Sequence, residues 1–363
     1  MNTALMKAAH ELTIFSSPWT ISCLMWRCLR LRAGVGWAMV YACVSLASFN
    51  SLVLAYALVF LYYSLWQQVP WTQCDRAWAD DDCYVKKEGI AHLLLALAVG
   101  WCCVFACVHN GIRSLTKAIY ATTVVPFVLM FILLTRMLTL PGASAGLKYY
   151  IVPQWTEVLS VTLWRRAAEE VILSLGLGYG TVICYAGFGR IRNKLTNDVE
   201  VVIATQFFAS FGYGLVVFSV LGFMAASLQV HVEDVISSGF DIAFVAYPEA
   251  VSRIRNAHLW LVFFYVALLC MTLNAQCAAV QAVLSSVRDE LSPELRPRRW
   301  LLAAAGCLAM MLCGMPMTRH DGIYTMKMCD AYLGELLLPA LALLEVCFVV
   351  HGYGLRGRPG GER

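Results

Sequence analysis

Residues 163–189 read LWRRAAEEVILSLGLGYGTVICYAGFG, an apolar helical pattern in which Gly176, Gly178 and Gly180 fall at every second position. Glycine at that density lets a helix unwind. Inside a bilayer, unwound backbone persists only where it lines a cavity or where other groups replace its missing hydrogen bonds. Broken helices of secondary transporters use freed carbonyls for cations and half-helix N-termini for anions. Close helix packing on small residues accounts for the same glycines without any ligand. Arg165, Arg166, Glu169 and Glu170 stand just before the break and need partners. Arg165/Glu169 and Arg166/Glu170 have the spacing to neutralise one another across one helical turn.

The remaining sequence places this segment in a membrane. Of 363 residues, 60% are hydrophobic, and 27 basic plus 23 acidic side chains make only 14% charged, against roughly 25% in a soluble domain. So few charges cannot cover a soluble surface, which argues against a soluble enzyme, a nucleic-acid binder and a secreted disulfide scaffold. Charge-poor intervals at 33–74, 89–112, 118–135, 171–189, 201–232, 256–287, 300–318 and about 330–353 predict eight helical spans, since about 20 residues cross a bilayer as a helix. The fold class is therefore all-α, a polytopic membrane protein of about eight transmembrane helices. The first interval is too long for one straight span, and its tail, with Trp66, Pro70 and Trp71, reads as a helix end at the interface. The last carries Asp330, Glu335 and Glu345, carboxylates that must face protein or water rather than lipid.

Alternate loops hold most of the basic residues: Arg27, Arg30 and Arg32; Arg113 and Lys117; Arg190, Arg192 and Lys194; Arg288, Arg296, Arg298 and Arg299; Arg356, Arg358 and Arg363. The positive-inside rule makes these loops and both termini cytoplasmic. Residues 1–33 form a cytoplasmic or interfacial lead-in, too short in its apolar part to span, and 355–363 a short cytoplasmic tail. Most of the 15 cysteines sit in apolar runs as small buried hydrophobes. Cys74 and Cys83 share a polar segment, QCDRAWADDDCY, in the outer loop 67–88, where an oxidising compartment would join them. A second outer loop, 229–255, is long enough for helices of its own. No metal-ligand spacing, H-E-x-x-H or G-x-S-x-G nucleophile is present.

These residues together resemble the neurotransmitter:sodium symporters. GVGWAMV at 34–40 and AYALVFLYYSLWQQVPWTQC at 55–74 resemble the family's third span and following outer loop, and the C-x8-C of Cys74 and Cys83 matches its loop disulfide. SLGLGYG at 174–180 is similar to the broken sixth span, FVAYPEAV at 244–251 to the fourth outer loop, and GMPMTRHDGIY at 314–324 to the hairpin between the ninth and tenth spans. The motifs run in family order over a transmembrane symporter domain at 34–354. Nothing in the chain resembles the first, second, eleventh or twelfth spans. The resemblance thus implies a partial inverted-repeat fold, with all five helices of the second repeat and three of the first.

What the resemblance implies for the site is specific to position. Ser174 falls where the family's first sodium and chloride sites meet, Gln206 where the seventh span offers an amide, and Ser210 on a chloride-contacting position. Glu170, one turn before Ser174, is placed to supply the negative charge that lets bacterial members dispense with chloride. Met271 and Asn274 fall on the second sodium site, and Ala275 and Gln276 on the neighbouring substrate wall. Asn50 replaces the substrate-contacting tyrosine, Leu173 the aromatic lid, and Gly176 and Tyr179 border the pocket. Asp330 matches the acidic outer gate residue, whose usual arginine belongs to the absent first span; Arg319 or Lys327 is the alternative neutralising partner. Without the resemblance, Ser, Gln and Asn on buried helices read as interhelical hydrogen-bond glue.

The expected function is sodium-coupled symport of an amino acid, biogenic amine or related small solute across the plasma membrane. Sodium is the coupling ion, chloride is left open as a second, and there is no organic cofactor, enzyme activity or nucleic-acid partner. The missing spans would come from a longer coding sequence or from helix partners. The alternative is a transport-incompetent relative that acts as a partner or regulatory membrane protein, or is a relic.

Overall fold

The computed structural model describes residues 30–65, 87–153, 155–188, 195–235, 239–291, 298–319 and 322–349. Every regular element among them is helical. Five helices are long and apolar enough to cross a membrane: α1 (Arg30–Leu65), α3 (Ile112–Met137), α7 (Leu195–Leu228), α9 (Ala257–Glu290) and α10 (Arg299–Gly314), which runs on as a 3₁₀ turn to Thr318. The 22-residue α2 (Lys87–Val108) carries a shorter apolar stretch, His92–Val108. The remaining two spans are interrupted. One is α5 (Val161–Ser174) followed by α6 (Thr181–Ala186). The other is α11 (Gly322–Ala331), a π-helical segment at Tyr332–Leu337, and α12 (Leu338–Val349). Between spans lie α4 (Ala143–Ile151) and α8 (Tyr247–Ser252), the latter led in by a π-helical segment at Ile242–Ala246.

Because hydrocarbon solvates Leu and Val as well as protein does, small residues rather than apolar ones decide which helix faces meet. The long seam is α9 against α1. There Cys43, Ala47 and Ala55 of α1 and Cys277, Ala279 and Ala282 of α9 are buried in one cluster. α9 also packs on α3, and α2 and α10 pack on both α1 and α9. Between helices distant in sequence, α4 approaches α7 backbone to backbone. A Cβ on Gly146 would lie 1.9 Å from the Phe218 carbonyl oxygen, and one on Gly222 would lie 2.6 Å from the Gly146 nitrogen.

Two differences from the sequence expectation share one cause. The fourth span was predicted from Val171, yet its helix begins at Val161, because a charge-free criterion cuts a helix at its charged turns. The same criterion left 136–160 without an element, whereas α4 forms there, led by Gly142 in the left-handed region (φ 88°). The interfacial tail at Trp66–Trp71, the predicted loop 67–88 up to residue 86, with Cys74 and Cys83, and the segments 1–29 and 350–363 lie outside the described residues, while residues 87 and 88 already belong to α2.

Candidate functional site

The break between α5 and α6 is built by its glycines. Gly176, Gly178 and Gly180 have φ of 72°, 85° and 74°, a region costly to a residue with a Cβ. Gly176 ends α5 in a paired cap: Leu177 N–H donates to the Ile172 carbonyl (3.0 Å) and Gly176 N–H to that of Leu173 (3.1 Å), the bonding pattern of a Schellman motif. Tyr179 Oη returns to the Leu173 carbonyl (3.1 Å) and Thr181 Oγ1 to that of Gly176 (3.2 Å). Cys43 Sγ of α1 donates to the Tyr179 carbonyl (2.9 Å). Several of the carbonyls freed by unwinding are therefore taken by the chain itself. Leu173 and Tyr179 pack with Val35, Met39, Leu338 and Leu341, so Leu173 belongs to a cluster joining α1 to α12.

Ser174, at the end of α5, is exposed, and its Oγ donates back to the Val171 carbonyl (3.3 Å). Glu170 is exposed one turn earlier. Of the two predicted charge pairs, Arg165–Glu169 forms (3.0 Å), while Arg166 and Glu170 make no ion pair among the described residues. Gln206 Nε2 donates to Ser210 Oγ (3.2 Å) on α7, a helix that packs on α4 and α3 rather than α5. The structure thus joins Gln206 to Ser210 without bringing either to Ser174. Around them Val201, Val202, Ile203, Phe207, Phe208 and Phe211 are exposed.

A second group lies where α9 crosses α1. Gln276 is fully buried; its Nε2 donates to the Ala47 carbonyl (2.9 Å) and its Oε1 accepts from Asn50 Nδ2 (3.4 Å). Substituting Gln276→Leu removes both bonds and leaves the half-buried Asn50 amide without this partner, while the Ala47 carbonyl keeps its place in the α1 ladder. A loss of about 1–3 kcal/mol is expected, read as a lower apparent Tm of detergent-solubilised protein, with Asn50→Leu/Gln276→Leu recovering part of it. Ala275 beside it is exposed, and Met271 is half-buried. Asn274 is engaged across the bundle: Thr122 Oγ1 donates to its Oδ1, and its Nδ2 donates to Thr123 Oγ1 (3.0 Å). Asp330 is exposed and unpaired among the described residues, because Lys327 turns instead to Asp241, Nζ lying 3.0 Å from Oδ2.

Between the break and the seam lies a cavity of ≈ 30 Å³, lined by Met39, Val40, Cys43, Tyr179, Ile183 and Ser286 among others. That is room for about one water, whereas small-molecule sites run to about 300 Å³ or more.

A family model described as the sodium:neurotransmitter symporter family matches residues 16–91 and 85–357. The chain belongs to this family. Similar relatives include the sodium- and chloride-dependent glycine transporter 2 of Xenopus laevis, 28% identical over 94% of this chain and 51% of that one. The GABA transporter ine of Drosophila melanogaster is 28% identical over 89% of this chain and 38% of its own length. The neutral and basic amino acid transporter B(0+) of Mus musculus is 27% identical over 91% and 61%. This symporter-family chain thus spans about half the length of the curated relatives it matches. Its fold is similar to the crystal structure of MhsT in complex with L-phenylalanine, with a TM-score of 0.76 and 17% identity, covering 96% of this chain and 78% of that one.

Set in the symporter fold, the predicted residues divide by neighbourhood. Leu173, Gly176 and Tyr179 meet at the break, Asn50 and Gln276 meet at the seam, Ser174, Glu170, Ser210 and Asp330 are exposed, and Gln206 is half-buried. Thr122, Thr123, Cys43 and Thr181 were missed. Adjacent threonines one turn before Pro126, inside an apolar span, were a readable polar signal; Cys43 looked like any small buried residue.

Proposed function

We propose that this chain acts in sodium-coupled carriage of amino acids or related amines across the plasma membrane, with both termini cytoplasmic and 34–354 as its transport domain. The observation that carries the reading is the glycine-built break between α5 and α6, seated against α1 and α12 in a chain of this family. The relatives' names, sodium- and chloride-dependent transporters of glycine, GABA and neutral and basic amino acids, support the solute class and the coupling ion. Ser174, Gln206 and Ser210 are the proposed groups for the first sodium and for chloride, and Met271 and Asn274 for the second sodium. Asn50, Leu173, Gly176, Tyr179, Ala275 and Gln276 are the proposed substrate wall, and Asp330 a gate charge. Glu170 lies one helical turn from Ser174, on the approach to the break, and is proposed to stand in for chloride.

A second reading has its own support. Asn274 is committed to Thr122 and Thr123, the break closes on its own carbonyls, and the adjoining cavity has room for about one water and not for an amino acid. Those features suit a relative that completes its site with further helices, or that serves as a membrane partner without transporting.

Uptake separates the two. Cells displaying the chain at their surface should accumulate labelled glycine, GABA or a neutral or basic amino acid in sodium but not in choline medium. Uptake should survive chloride replacement by gluconate, and Glu170→Gln should make it chloride-dependent, with a loss of at least tenfold in gluconate. Surface delivery with no uptake of any of these solutes would leave the partner reading.

A further inference from the structure

Lys327 and Asp241 stand 86 residues apart in sequence, yet the ammonium lies 3.0 Å from Oδ2 and 3.3 Å from Oδ1. We propose that this pair is the outer latch of the pathway, holding α11 against the loop segment 239–252, and that Lys327 exchanges Asp241 for Asp330 when the latch opens. The inference rests on the transport reading above and specifies how that pathway closes.

Each side adjoins a π-helical segment, Ile242–Ala246 after Asp241 and Tyr332–Leu337 after α11, but the two sides are anchored unequally. On the loop side, Phe240 meets Tyr56 edge-on (5.3 Å), and Phe244 packs on Phe60 (5.3 Å) and Tyr265 (6.2 Å). Tyr265 Oη also donates to the Ala243 carbonyl (3.3 Å). These rings fix the loop to α1 and α9. On the other side, α11 packs on α1 and on its own flanking turns. It begins at Gly322, so close to the preceding turn that a Cβ would lie 1.6 Å from the Met317 carbonyl oxygen. It ends in the π-helical segment Tyr332–Leu337. Wide π turns interrupt the regular hydrogen-bond ladder and mark places where helices bend. α11 is thus a ten-residue lever between a tight turn and a weak one, and Lys327 ties its middle to a fixed loop.

Asp330 supplies the second state. It lies three residues beyond Lys327, within reach of the lysine along the same helix face, and forms no ion pair among the described residues. Side-chain exposures of 40% for Lys327 and 33% for Asp241 put the pair in partial contact with water, where an ion pair shifts a population by a few-fold rather than locking it. A gate needs that magnitude, since a latch too strong would never release.

Hydrogen exchange read by mass spectrometry, on the full chain in lipid nanodiscs, tests this without requiring transport. Lys327→Met and Asp241→Asn should each speed amide exchange about three- to fivefold in 239–252 and 322–331, and leave α1 and α9 unchanged. The charge swap Asp241→Lys/Lys327→Asp should restore protection, and Asp330→Asn should leave exchange equal or slower. Unchanged exchange in Lys327→Met, a rise spread over α1 and α9, a swap that fails to restore, or a rise in Asp330→Asn would each overturn the latch. A chain that shows the local pattern but takes up no solute keeps the latch and defeats the transport reading. Sodium-dependent uptake with flat exchange does the reverse.

Discussion

Gly222→Ala is expected to destabilise the protein far more than Gly212→Ala, although the new methyl meets its nearest neighbour at the same distance, 2.6 Å, in both. What differs is the neighbour. At Gly212 the contact is the Met130 thioether sulfur, followed by its methyl carbon at 2.9 Å, the far end of an unbranched side chain that can rotate away. At Gly222 the contacts are the Gly146 nitrogen, the Gly142 carbonyl oxygen at 2.7 Å and the Gly146 Cα at 2.9 Å, all backbone. Relieving them requires α4 to lift off α7. Overpacking that side chains can absorb costs about 1–3 kcal/mol, so Gly212→Ala should fall at the low end of that range, and Gly222→Ala above it. The readout is the apparent Tm and monodisperse yield of solubilised protein, with Gly34→Ala, whose methyl meets nothing within 4 Å, as an unperturbed control. Equal shifts at 212 and 222 would mean that α4 is not seated on α7 as described.

Features set by neighbours in sequence were legible, and those set by distant pairing were not. Three glycines in five residues announce a broken helix, and the structure gives all three a positive φ. Asn50 and Gln276 were each recognisable as polar groups in apolar helices, but no spacing rule shows that they bond to one another across 226 residues. The resemblance puts Asn274 on the second sodium site, and the amide oxygen that would suit an ion suits equally the threonines of α3 that hold it. Lys327 is near Asp330 in sequence, which made that pairing natural to expect, yet the fold offers it Asp241 from the far loop. In α5 the charges mark no boundary either, because they sit within a helix that has no buried residue and can carry them on its exposed faces.

Gly178→Ala is expected to disrupt the break more than Gly180→Ala, and the comparison isolates what the glycines do there. Both positions have φ well inside the left-handed region, 85° and 74°, so each substitution carries a conformational penalty of about 1–2 kcal/mol. At Gly180 the penalty stands nearly alone, because the new Cβ would find only Met39, at 3.9 Å. At Gly178 it would also lie 2.8 Å from the Leu338 carbonyl oxygen and 3.3 Å from the Ala342 nitrogen, pressing the break off the backbone of α12. The Tyr179 and Thr181 bonds that close the break depend on that seat, so a shift there unties the Leu173 and Gly176 carbonyls together. The expected order of apparent Tm is wild type, then Gly180→Ala, then Gly178→Ala, with the last step at least as large as the first. Exchange at amides 175–181 should rise in Gly178→Ala alone. Were the two variants to lose the same stability, backbone conformation would account for both, and the contact between the break and α12 would add nothing to holding the two half-helices in place.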